Sequence, residues 1–100
     1  MSDAAAWLRG RLPAAPPARL EQMAAALPRW QTSTAAALID GALTLYRGVA
    51  AGSGGREDAL PLLAADALLT HAFEAQAEED PEGLLELAAR CEAALGEVGR

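Results

Sequence analysis

The chain has 100 residues, room for one small domain and not two, and carries a net charge of −6. Its apolar fraction of 52% excludes a polar disordered chain, but 26 of those residues are Ala and 16 are Leu, while Val and Ile together number three, so helix is favoured and a sheet has little to build on. The charge is lopsided: residues 1–50 hold five Arg against three acids (+2) and residues 51–100 three Arg against eleven (−8), which disfavours a nucleic-acid backbone or an anionic membrane surface as partner.

Pro, Gly and capping residues divide the chain into five helices. Ser2 or Asp3 can cap a first helix over 4–12, which Pro13 stops. Residues 13–17 form a rigid connector, and Pro17 suits the first turn of a second helix over 17–27, with an apolar stripe of Leu20, Met23, Ala24 and Leu27. Trp30 falls in the loop that follows. Ser33 or Thr32 caps a third helix over 34–51, on which Leu38, Ala42, Leu45 and Val49 share a face with Ile39, Leu43, Tyr46 and Ala50 beside it. Gly41 and Gly48 each weaken that helix by about 1 kcal/mol relative to Ala, and a close-packed neighbour would explain both. The glycine run at 52–55 ends it.

A fourth helix spans 58–79, with Asp58 as the expected cap and Pro61 in the first turn. From Leu60 to Leu69 it is apolar on nearly all sides, the pattern of a buried central helix, and after Phe73 it turns acidic. Asp80-Pro81-Glu82 is a start signal for a fifth helix over 81–95, with a stripe of Leu84, Leu87, Cys91, Leu95 and Val98 and an expected Glu86–Arg90 pair. The expected fold is an all-α bundle forming one domain over residues 1–100. Its third to fifth helices make the core, and the two shorter N-terminal ones close it.

All eight basic residues are Arg, the mark of a GC-rich bacterial coding sequence. The single Cys91 allows no intrachain disulfide, no secretory pattern opens the chain, and the longest apolar run, 59–69, is well short of the ~20 residues that cross a bilayer. These features point to a soluble cytoplasmic protein.

Few residues offer chemistry. His71, the only histidine, stands three residues before Glu74, a spacing that serves a general acid–base couple or a plain polar helix position. Asp66 stands in the most apolar stretch, so it needs a partner; an Arg from the basic half is the expected one, and a functional site is the alternative. Cys91 reads as a buried thiol. Trp7 and Trp30, two of four aromatics, read as caps on the core or as protein-contact anchors. The acids Glu78, Glu79, Asp80 and Glu82 read as a solvated corner or a cation site. The glycine run lacks the Lys and the preceding strand of a phosphate loop. No catalytic, cofactor or metal set emerges, because a metal needs three or more ligands and there is no second His.

One segment, Leu63-Ala64-Ala65-Asp66-Ala67-Leu68-Leu69-Thr70-His71-Ala72-Phe73-Glu74, resembles a core helix of the trans-type polyprenyl diphosphate synthases. The resemblance implies an all-α fold with this helix beside an active site. The family's two aspartate-rich magnesium motifs are missing, since no two Asp are adjacent here, and so is its basic diphosphate-binding cluster. The resemblance therefore implies an inactive, shortened relative. The residues themselves point first to a non-enzymatic helical protein that acts through a protein partner or a homo-oligomer. The alternative is a small enzyme or ligand binder in which Asp66, His71 and Glu74 share a pocket.

Overall fold

The computed structural model describes residues 4–28 and 33–98. Five α-helices and no strand occur among them: α1 (Ala4–Arg11), α2 (Pro17–Ala26), α3 (Thr34–Ala50), α4 (Ala59–Glu79) and α5 (Leu84–Glu97). A 3₁₀ turn leads into each of the last two, Arg56–Asp58 before α4 and Pro81–Gly83 before α5. The all-α bundle expected from composition and punctuation is the fold, with most helix ends within a residue or two of their expected places.

The local causes are specific. Ser33 Oγ accepts from Ala36 N at 3.1 Å, which satisfies one of the free amides opening α3. Pro17 starts α2, its missing N–H being one the helix would not have used. Asp80 Oδ1 accepts from Glu82 N at 3.2 Å, so the Asp-Pro-Glu signal caps the 3₁₀ turn rather than α5 itself. Asp58 occupies the cap position of α4 but does not cap it. Its carboxylate turns back to accept from Gly54 N at 2.9 Å, in a loop where Gly54 takes a φ of 79° that other residues resist. The proposed caps Ser2, Asp3 and Thr32 lie outside the described residues.

Packing centres on α3 and α4, which share more contact than any other helix pair; α2 lies against both, and α1 closes one side against α2 and α3. Alanine makes this possible: Ala35, Ala37 and Ala42 of α3 and Ala64, Ala65, Ala72 and Ala75 of α4 are buried, with Leu8, Met23, Leu38 and Leu68 the largest fully buried side chains. Gly41 sits at the tightest point. A Cβ there would lie 3.0 Å from Leu27 Cδ2 and 3.2 Å from Leu68 Cδ1, so its absence lets α2 and α4 approach. Gly48 has no neighbour within 4 Å of where a Cβ would stand, so close packing accounts for one of the two glycines only.

Two expectations are corrected. The fifth helix is not an equal member of the core: α5 buries only Leu87 and Cys91, and Glu86 and Arg90 form no ion pair. Nor is α4 buried throughout. Leu60, Leu62 and Leu63 are exposed by 54%, 41% and 47%. At 21 residues α4 is about 31 Å long. Its C-terminal half meets α1 at His71 and Glu78, and the turn into α5 follows at that same end, leaving the first turns of α4 open on their outer side.

Candidate functional site

The polar residues singled out by sequence lie on α4, where two separate groups form. Asp66 and His71 are five residues apart, about 140° around the helix, and they face different neighbours.

Asp66 meets α3. The Tyr46 hydroxyl donates to Asp66 Oδ1, joining the two central helices. Burial, then the hydrogen bond and the charge of Asp66, raise the Tyr46 phenol well above the ordinary tyrosine range. The expected Arg partner is therefore replaced by a tyrosine, and Asp66 is exposed rather than sunk in the core. An α-helical Asp amid leucines escapes burial when its face of the helix reaches solvent, which periodicity along an almost wholly apolar stretch does not reveal.

His71 meets α1, with Glu74 beside it on α4. His71 Nδ1 lies 3.0 Å from Glu74 Oε2, the i,i+3 pair expected from spacing, with side chains 15% and 44% exposed. The His71 ring stands edge-on to Trp7 at 6.3 Å between centroids and 64° between planes. Arg11 lies 4.7 Å over the Trp7 ring and also pairs with Glu78. Trp7, Arg11, His71, Glu74 and Glu78 thus form one clasp holding α1 against α4. Sequence reasoning did not single out Arg11, and it placed Glu78 only in the acidic corner and Tyr46 only on the apolar side of α3. The i,i+4 spacing of Trp7 and Arg11 is a readable signal for a stacked pair; the α1–α4 and α3–α4 partners are not, because they depend on which helices become neighbours.

The other candidates have structural surroundings. The Cys91 thiol is buried in α5, and burial pushes it up, against a smaller opposing effect of Arg90, so the reactive thiolate is disfavoured. In the corner after α4, Glu78 is taken by Arg11 and Asp80 by its turn. In the glycine loop, Ser53 Oγ donates to Glu57 Oε1 at 2.6 Å and holds that carboxyl below its usual range. No three His, Cys, Asp or Glu side chains come together as a metal-binding group among the described residues. Surface depressions occur beside α5, at the corner of α4 and α5, and between α1 and α2; Asp66, His71 and Glu74 line none of these three. Trp30 lies outside the described residues.

Residues 63–74 are a continuous part of α4. Comparison with protein families, with curated proteins and with solved structures finds no match to this chain.

Proposed function

We propose that this chain is a non-enzymatic helical protein that works by association with other polypeptide, a second copy included. The observation that carries this reading is the leucine surface at the start of α4: Leu60 and Leu63, three apart on one face, with Leu62 about 100° further round from Leu63, all exposed. Apolar side chains grouped at one place mark an interaction surface more often than scattered ones do. Leu85, at 86% exposure, adds a second apolar contact at the start of α5. The polar residues that would serve an enzyme support the same reading, since Asp66 holds Tyr46 and His71 holds Trp7 and Glu74.

A cytoplasmic setting belongs to the proposal and is supported by the lone, buried Cys91. No helix among the described residues is long and apolar enough to cross a membrane. The −8 half argues against nucleic acid as the partner.

The test is light scattering of the whole chain at micromolar concentration, with capture from the native host, run on the native protein and on Leu60→Ser/Leu63→Ser. The native protein should self-associate or retain a partner, and the variant should lose this while keeping its circular dichroism. A native protein that stays monomeric and captures nothing the variant does not would refute the proposal.

A further inference from the structure

The groove that receives α1 is an interaction site already occupied by a segment of this chain. Ala4 and Leu8 of α1 are 5% and 1% exposed, seated against the core, and the Trp7–Arg11–His71–Glu78 clasp closes over them. An eight-residue helix does not persist alone in water, so the helical form of α1 depends on this groove.

The tether gives the groove a second way to be filled. Residues 12–16 read Leu-Pro-Ala-Ala-Pro. In the closed chain they form a turn closed by one backbone bond, Ala15 N to Leu12 O, at 3.2 Å. Leu12 and Ala15 each precede a proline, which biases both toward extended backbone. The prolines have no N–H to lose, so opening the turn sacrifices that one backbone bond and the packing of Leu12 against the core. Opened to a polyproline-like strand, five residues span about 15 Å and carry α1 away from its own body.

We propose that α1 exchanges between two copies of this chain, each α1 seated in the other's groove. Every contact of the clasp is then remade across a closed two-fold dimer, and no new complementary surface is required. The proposal rests on reading the chain as an associating protein, but it uses a different surface from the leucines of α4. Because a short tether gives the closed form an effective concentration on the order of millimolar, the exchanged dimer gains ground as protein concentration approaches that range.

The experiment places Arg11→Cys and Glu78→Cys in a Cys91→Ala background and joins the two thiols with a bifunctional maleimide. After warm incubation at millimolar concentration, the cross-linked product should be mainly two chains. At low micromolar concentration it should be mainly one. Deleting Ala14 and Ala15, which makes the turn too short to close, should move the two-chain product to low concentration. Adding Leu60→Ser/Leu63→Ser should leave these results unchanged. One-chain products at every concentration overturn the exchange. If such chains still associate until the leucines are replaced, the exchange fails while the proposed function stands.

Discussion

At the scale of single residues, a few polar side chains link helices whose core is apolar. Tyr46 is the only tyrosine, so its ionisation can be followed alone. Its folded-state value is raised, first by burial and then by Asp66, above the unfolded value near 10. The stability linked to this group is therefore fully present below about pH 10 and is lost as pH rises through the folded value. Tyrosinate absorbance should appear only as the chain unfolds in alkali. Tyr46→Phe should cost about 1 kcal/mol near neutral pH and flatten the alkaline limb of the melting profile. An absorbance rise near pH 10 in a chain that is still folded would contradict this account. Asp66 shows how far sequence reaches: its need for a partner follows from its leucine neighbours, but the identity of that partner depends on the face of α3 alongside it. The His71–Glu74 pair was readable because it is local to one helix, whereas its contact with Trp7 joins residues far apart in the chain.

At the scale of elements, the helices were legible because their ends carry their own chemistry. Pro17, Ser33 and the Gly52–Gly55 run act locally, and each stops or starts a helix near where it stands. The two 3₁₀ turns were not legible as such: the Asp80-Pro81-Glu82 signal marks a helical start without telling a 3₁₀ turn from the first turn of α5, and nothing in Arg56-Glu57-Asp58 separates that turn from α4. The two glycines of α3 separate propensity from packing. Gly48→Ala adds a side chain into open space on an exposed turn, so it should stabilise by about 0.5–1 kcal/mol. Gly41→Ala has the same propensity gain but drives a methyl group to 3.0 Å from Leu27 and 3.4 Å from the carbonyl of Ala26. Overpacking of this kind typically costs 1–3 kcal/mol, so the net change at Gly41 should be destabilising. Thermal melts of both variants decide the matter; equal shifts would mean that α2 and α4 have room to yield.

At the scale of the whole molecule, apolar content said that a core exists but not which leucines it covers. The first turns of α4 are as apolar as its middle, yet Leu60, Leu62 and Leu63 are exposed there, while α1 and the turn into α5 meet α4 towards its other end. Charge is distributed just as unevenly. From Glu74 to Glu97 the chain holds eight acids and a single Arg, and Arg90 forms no ion pair with Glu86. Among the described residues, the cross-helix ion pair at the acidic end is Arg11–Glu78, whose side chains are 39% and 48% exposed. An exposed pair of this kind is worth about 0–1 kcal/mol. Against it stand several carboxylates within a Debye length of one another, including Glu74 and Glu78 one helical turn apart, each like-charge neighbour costing a few tenths of a kcal/mol. Repulsion outweighs attraction in that sum, and salt screens both. The melting temperature should therefore rise between about 10 mM and 0.5 M sodium chloride, where the Debye length falls from about 30 Å to a few ångströms. Arg11→Gln should melt lower at low salt and converge on the native protein at high salt. A native melting temperature that falls as salt is added would show that attraction between the basic N-terminal half and the acidic remainder, rather than repulsion within the acidic end, governs the charge balance of the fold.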